Sequence, residues 1–336
     1  MDADTIHQRR WLTLAVLSLS LVIIGLDNTI LNIALPSLVE ALDASASQLQ
    51  WMVDSYVLVF AGTLLTMGAL GDRFGRKLAL NVGLVIFGVA SVFAAFSDSA
   101  NMLIVARAVM GIGGALIMPS TLSIITNIFS GAERGRAIAM WAAVAGLGIV
   151  VGPALGGWLL EHYWWGSIFL INIFVAGVAI LLGLLLVPES KDPDATPLDP
   201  LGAILSAGGL IILVYAIIEA PSKGWTNPLI LAGFVVALIL IGLFLWWENR
   251  AEHPMLRLEF FKNPRFSAAS GAVSLVFFAM FGSVFLLTQY LQFVLGYTPL
   301  EAGVRVMPTA TMLIAAPFLP DSSSVSERRL SFHLDS

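Results

Sequence analysis

The sequence lacks cysteine and contains few charged residues. Charged residues make up 12% of the 336 positions, about half of the ~25% that is usual for soluble proteins. The absence of cysteine excludes disulfides and thiolate metal sites. The four histidines are scattered rather than clustered at metal-ligand spacing. We therefore expect no metal site and no cofactor.

Two further classes of function have little support. A net charge of −5 without a clustered basic face argues against nucleic-acid binding. The sequence also has no nucleophile–base arrangement and no glycine-rich phosphate loop. We do not expect an enzyme.

The sequence is instead rich in long apolar stretches. The hydrophobic fraction is 58%, above the roughly 45–50% of soluble domains. A lipid bilayer is crossed by about 20 apolar residues in a helix, and the chain supplies about ten such stretches. These predict an all-α, polytopic membrane protein embedded in lipid. The predicted spans are Trp11–Leu35, Trp51–Leu70, Leu78–Phe96, Met102–Ile124, Ala137–Leu160, Ser167–Val187, Leu201–Ala220, Leu229–Trp247, Phe266–Leu287 and Ala302–Leu319.

The basic residues predict the orientation of these spans. All lysines and arginines except Arg107, Lys223 and Arg305 fall in segments on the same side as the N-terminus. Because cytoplasmic loops are enriched in lysine and arginine, we expect a cytoplasmic N-terminus.

Polar stretches divide the spans into blocks. Residues 1–187 are expected to form a six-helix bundle, and residues 188–200 a cytoplasmic loop. Residues 201–247 then form two further helices, followed by a second loop at 248–265. Residues 266–320 begin a second bundle with two helices. The serine-rich residues 321–336 are expected to be a disordered polar tail.

A carboxylate lies inside the first predicted span. Asp27 follows an uncharged run that begins at Trp11, and an ionisable group at such depth costs about 2.5–3.5 kcal/mol on insertion scales. Asn28 and Asn32 share its sector of the helix, which therefore should not face lipid. One interpretation is a proton or cation site, and the other is a structural hydrogen bond between packed helices.

Four other charged residues lie near the predicted outer ends of spans. Arg107 in the fourth span is expected to pair with a carboxylate such as Asp27; the alternative is that it extends outward to the lipid headgroups. For Asp54 we keep two predictions: it attracts cationic substrates, or it is only solvated at the membrane interface. Glu219 and Arg305 are expected to be solvated.

Small residues in the fifth span predict close helix packing. Gly148, Gly152 and Gly156 recur every fourth residue and so share one face, where another backbone can approach closely. Pro153 removes one intrahelical hydrogen bond and bends the helix. Gly157 extends the small surface. Packing alone is the simplest interpretation of the repeat, but the proline and the glycine pair make the pattern more specific.

The loop between the second and third spans combines glycine, basic residues and one aspartate. Glycines permit a tight reversal, and the basic side chains anchor the inner face. The aspartate is expected to pair with one of them or with a helix N-terminus. A hairpin that only fixes topology does not explain this aspartate. The candidate gating residues are Gly68, Asp72, Arg73, Gly75, Arg76 and Lys77.

Together these motifs resemble the major facilitator superfamily, specifically its fourteen-helix drug:proton antiporter branch. The likeness covers about residues 9–320. Four segments carry it: Leu26–Pro36 in the first helix, Gly68–Lys77 in the loop, Arg107–Gly113 in the fourth helix and Gly148–Gly157 in the fifth. Asp199–Trp225 also resembles the family's seventh helix, the first of two inserted central helices.

The resemblance implies a proton-coupled exporter of amphipathic, cationic drugs in the bacterial cytoplasmic membrane. Two six-helix bundles would rock around a cavity at the middle of the membrane. Asp27 and Arg107 would take part in proton coupling and substrate binding, and Asp72 with its basic neighbours would steady a gate. Protons and small cationic substrates are the implied partners.

The sequence departs from the family in two places. Phe174 stands where the family often has proline. The chain also ends after ten helices, and Asp321–Ser336 resembles nothing in the family, so we expect a truncated copy produced by a frameshift or a premature stop. The Gly148 face and Asp72 would then lack expected partners. The alternative function is a non-transporting membrane protein or regulator derived from such a transporter.

Overall fold

The computed structural model describes residues 3–192, 199–252 and 254–315. All regular structure in these ranges is helical. The α-helices are α1 (Ala3–Leu42), α2 (Ala46–Phe74), α3 (Arg76–Ala95), α4 (Ala100–Ile128), α5 (Gly131–His162), α6 (Ser167–Leu186), α7 (Pro200–Lys223), α8 (Pro228–Glu248), α9 (Pro264–Gln289) and α10 (Pro299–Ala315).

Within the described ranges, nine helices are long and apolar enough to cross a membrane. They are α1 to α9, with α9 continuing into the short π-helix Tyr290–Val294. The predicted tenth span, Ala302–Leu319, coincides with α10 as far as Ala315, and its remainder lies outside the described residues. The predicted tail 321–336 lies outside them as well.

Short polar sequences start the helices because they satisfy backbone N–H groups that have no partner inside the helix. Ser45 forms a reciprocal capping box with Gln48 at the start of α2. Asp199, Asn227 and Asn263 each accept a bond from the first turn, and a proline follows each of them at the first helical position. The starts of α2, α7, α8 and α9 are therefore specified by the local sequence.

The first helix extends beyond its predicted end. The prediction stopped at Leu35, before Pro36, yet α1 continues to Leu42 with Pro36 inside it. A proline is tolerated in a membrane helix when neighbouring groups satisfy the freed backbone. Gln292 Nε2 donates to the Ile33 carbonyl oxygen over 3.1 Å, so a side chain of the π-helix bonds to the backbone of α1 three residues before Pro36.

The helices do not share one core. Buried residues of α1 to α6 form a single large apolar cluster, which includes Leu17, Phe87 and Phe169. A small separate cluster joins α7 to α8 around Ala216 and Ile230. A third cluster joins the π-helix to α10 through Leu291, Ala302 and Val306. Many large apolar side chains are nevertheless exposed; Phe278 on α9, for instance, is 80% exposed. These outward apolar faces suit lipid rather than water.

Candidate functional site

Asp27 lies at the centre of the first bundle. Its side chain is completely buried, and its Oδ2 accepts a hydrogen bond and an ion pair from Arg107 Nη1 of α4. Arg107 is 1% exposed. The predicted pair is therefore present, and the alternative that Arg107 extends to the headgroups is wrong.

The other carboxylate oxygen is held by an amide. Asn172 of α6 donates through Nδ2 to Asp27 Oδ1 over 3.1 Å. The same nitrogen lies 3.5 Å from Ser91 Oγ of α3, and Ser91 donates to the Phe87 carbonyl at 2.8 Å. Both oxygens of Asp27 thus have donors, as a buried carboxylate requires.

Arg107 makes two further contacts with α2. Its Nε donates to the Met52 carbonyl over 2.9 Å, and its guanidinium carbon lies 4.6 Å from the centre of the Tyr56 ring. A cation placed over an aromatic face is stabilised by the ring's quadrupole. Residues from α1, α2, α3, α4 and α6 therefore meet in one buried polar network.

The side-chain amides of Asn28 and Asn32 bond within α1 and make no hydrogen bond to Asp27. Asn28 Nδ2 donates to the Ile24 carbonyl at 2.8 Å, and Asn32 Nδ2 donates to the Asn28 carbonyl at 2.9 Å. These amides therefore bond to the backbone of their own helix, as polar side chains in helices commonly do. Asn32 is buried and Asn28 half-buried, so the sector does point away from lipid.

Asp54 is half-buried near the start of α2. No ion pair to it is found among the residues that the structure describes. Its two predicted roles stay predictions.

The glycine face of α5 packs against α1. A Cβ atom at Gly148 would lie 2.8 Å from the Val22 carbonyl oxygen, and one at Gly152 would collide with the Thr29 side chain. Gly156 lies against Ile30. The predicted close approach is present, and α1 is the partner.

The opposite half of this motif meets α10. A Cβ atom at Gly157 would collide with Leu300, and one at Gly303 would collide with the Pro153 carbonyl. Both α1 and α10 therefore lie against the motif, and the prediction that it loses partners from further helices of the family stays a prediction.

The loop between α2 and α3 is held by local and distant contacts. Arg76 Nε lies 2.7 Å from Asp72 Oδ1, as predicted for this aspartate. Lys77 Nζ donates to the Leu184 carbonyl over 2.8 Å. Gly75 adopts φ +128°, a conformation that strongly favours glycine.

The segment after α6 completes this loop. Arg76 N donates to the Ser190 carbonyl and Asp192 N to the Asp72 carbonyl, both over 3.0 Å. Asp72 thus has partners near the loop, and the prediction that it loses partners from further helices of the family stays a prediction. Of the other glycines and arginines in the motif, Gly68 faces Pro119 of α4, and the guanidinium carbon of Arg73 lies 5.7 Å from the Phe74 ring centre.

Glu219 was expected to be solvated, but its side chain is mostly buried. Its carboxylate accepts from Trp51 Nε1 of α2 at 3.2 Å and forms an ion pair with Lys223 at 3.2 Å. The side chain is 14% exposed, because α7 packs against α2 at this point. Arg305 is exposed, as expected, with its guanidinium carbon 4.0 Å from the Tyr297 ring centre.

Sequence reasoning missed three members of the buried network: Asn172, Ser91 and Tyr56. Asn172 stands in an otherwise apolar span, so the rule that selected Asp27 also applies to it. Serine and tyrosine are too common in membrane helices to be selected this way. Within the described ranges, no group of three His, Asp or Glu side chains could hold a metal ion.

Comparison with known proteins gives a consistent result. The sequence model of the Major Facilitator Superfamily matches residues 17–332. This match runs past Pro320, so the expectation that Asp321–Ser336 resembles nothing in the family is not supported.

Curated relatives of this chain carry drug-resistance names. The chain is 42% identical to the multidrug efflux pump LfrA of Mycolicibacterium smegmatis over 309 residues, covering 92% of the chain and 61% of that protein. It is 36% identical to the methyl viologen resistance protein SmvA of Salmonella typhimurium over 327 residues, covering 97% of the chain and 66% of that protein. The chain thus spans less than two thirds of the length of these relatives.

A solved structure shares the fold. The crystal structure of the peptide transporter POT in complex with sulfate superposes with a TM-score of 0.65 at 17% identity, covering 95% of this chain and 71% of that one. At this identity the likeness extends to the fold alone.

Proposed function

The chain belongs to the major facilitator superfamily, and we propose that it exports amphipathic, cationic drugs in exchange for protons. The drug-resistance relatives support export of small molecules. Proton coupling and a preference for cations are our inference from the buried network. We further propose that the helices span the bacterial cytoplasmic membrane with the N-terminus inside, as the distribution of basic residues predicts.

The buried Asp27–Arg107 pair is the observation that carries this proposal. Ionisable residues inside membrane spans are costly, so they commonly mark the pathways of ions and protons. The Asp27 carboxylate accepts hydrogen bonds from Arg107 and Asn172. When a proton neutralises it, the attraction to Arg107 is lost and the two helices can separate.

Two structural features supply the rest of the mechanism. The α1–α5 seam at Gly148, Gly152 and Gly156 lets two backbones stay close while they slide. The Asp72–Arg76 pair ties the end of α2 to the start of α3 and steadies one gate. Protonation of Asp27 would then shift the balance between two arrangements of the helices.

Drug efflux from cells tests the proposal. Cells that produce this chain are expected to expel ethidium faster than cells with the empty vector, and Asp27→Asn is expected to remove the difference. Asp43→Asn is the matched control, because Asp43 follows α1 and is exposed. It should leave export unchanged.

The outcomes separate the proposal from its alternative. If cells with this chain expel ethidium no faster than empty-vector cells, the chain is not an autonomous exporter. That result supports the alternative hypothesis of a non-transporting membrane protein or regulator. If export occurs but Asp27→Asn has no effect, Asp27 has no part in the mechanism.

A further inference from the structure

We propose that the junction of α2 and α7 is a second organic-cation site, separate from Asp27. It consists of Trp51, Tyr215 and Glu219, and we call it the junction site. The inference rests on the proposed function only for the kind of cation that reaches it. The site lies where α7 ends, at the end of the bundle opposite the N-terminus.

The junction site has the composition that recognises organic cations. The rings of Trp51 and Tyr215 have centres 6.2 Å apart at an angle of 39°, so they form a tilted aromatic corner. The Glu219 carboxylate is fixed beside this corner by the bond from Trp51 Nε1. Aromatic faces combined with negative charge bind quaternary ammonium groups.

The chain itself already places a cation there. Lys223 Nζ lies 5.1 Å from the centre of the Tyr215 ring, 3.2 Å from Glu219 Oε2 and 2.8 Å from the Tyr215 hydroxyl. We interpret this ammonium group as a tethered occupant that a free cation must displace. Lys223 is the last residue of α7 and its side chain is 39% exposed, so it can swing into solvent.

Displacement of this lysine should be easy. An exposed ion pair of this kind contributes little, because solvent screens it and the long side chain loses freedom. A quaternary cation is less strongly hydrated and covers the rings with apolar groups, which adds burial that lysine does not provide. The structural alternative is a contact that only fastens α7 to the first bundle.

Removal of the tethered ammonium provides the test. Benzyltrimethylammonium binding is measured by calorimetry on the full chain in lipid nanodiscs, in an Asp27→Asn, Arg107→Ala background that removes the buried pair without leaving one charge unpaired. Lys223→Gln is expected to lower Kd by about threefold to tenfold, the range that follows from the loss of a weak competing pair. Lys262→Gln is the matched control, since it removes the same charge from an exposed lysine elsewhere, and it should leave Kd unchanged.

Further variants distinguish the ring from its hydroxyl. In the Lys223→Gln chain, Tyr215→Phe should retain the tighter binding, because a quaternary ammonium has no N–H to donate to the hydroxyl that accepts from Lys223. Tyr215→Ala and Glu219→Gln should each abolish it. A circular dichroism spectrum and melting temperature close to those of the parent show that these chains remain folded.

Two results would overturn the junction site. One is an unchanged or weaker affinity in the Lys223→Gln chain. The other is equal tightening by the Lys262 control, which would indicate a general effect of net charge. Because binding is read without transport and without the Asp27 carboxylate, either failure leaves the export proposal untouched.

Discussion

Two acid–base pairs in this chain lie in opposite surroundings. Asp27 and Arg107 come from α1 and α4 and are both buried, with 0% and 1% of their side chains exposed. Asp72 and Arg76 are four residues apart at the end of the bundle, with 32% and 12% exposed. The first pair depends on the packing of five helices, whereas the second forms within one hairpin. Breaking the first pair should therefore lower the free energy of unfolding much more than breaking the second.

The largest effect is expected from removing Arg107. Arg107→Ala leaves a buried carboxylate without its cation, which typically costs about 3–5 kcal/mol. The melting temperature of the purified chain should fall sharply. The double variant Asp27→Asn with Arg107→Ala should recover part of the loss, since no charge is then stranded. A double variant as unstable as Arg107→Ala alone would show that the charge of Asp27 is not the reason.

A smaller effect is expected at Asn172. Asn172→Ala removes the donor to Asp27 Oδ1, and hydrogen bonds to charged groups contribute about 1.5–3 kcal/mol. Ser91→Ala should cost less, because its contact with Asn172 is 3.5 Å long. Chemical denaturation of the parent chain, Asn172→Ala and Ser91→Ala in parallel measures the free energy of unfolding of each. If Ser91→Ala is the more harmful change, Asn172 does not hold Asp27 in place.

Adding a side chain at the contact between the α5 glycines and α1 should destabilise the chain less than Arg107→Ala does. At Gly152 an added methyl group meets Thr29 of α1, and overpacking a tight contact costs about 1–3 kcal/mol. Gly152→Ala should therefore lower the melting temperature and slow export. Gly177→Ala on α6 is the matched control, because a Cβ atom there has nothing within 4 Å. Equal destabilisation by both would mean that helix propensity or lipid contact, and not the seam, decides the result.

The smallest change in stability is expected at the hairpin. Asp72→Asn should cost at most about 1 kcal/mol, because the pair is only partly buried and water and salt still weaken it. Its export activity should fall by more than its stability suggests, since the proposed role of Asp72 is in gating. Parallel melting curves and ethidium efflux measure the two quantities. A large loss of stability with normal export would contradict this view of the hairpin.

Much of the fold was predictable from the sequence because lipid imposes a simple length rule. Uninterrupted apolar runs indicated the spans, and two of the charged residues inside them, Asp27 and Arg107, indicated the buried pair. The glycine repeat of α5 predicted a close helix contact. None of these arguments needed tertiary structure, because each follows from what a membrane helix can contain.

What the sequence could not provide was the identity of distant partners. The donor to Asp27 from α6 and the α1 partner of the α5 glycines depend on how helices pack in three dimensions. The end of α1 was missed because a membrane helix can continue through a proline, as α1 does at Pro36. Glu219 was expected to be solvated, but α2 covers it and supplies Trp51.

Gradient-driven transport in proteoliposomes tests the central claim most directly. With an acidic lumen, the parent chain should accumulate ethidium against its concentration gradient, while Asp27→Asn should only equilibrate it. Equal accumulation by both chains would contradict the claim that the buried carboxylate couples protons to export.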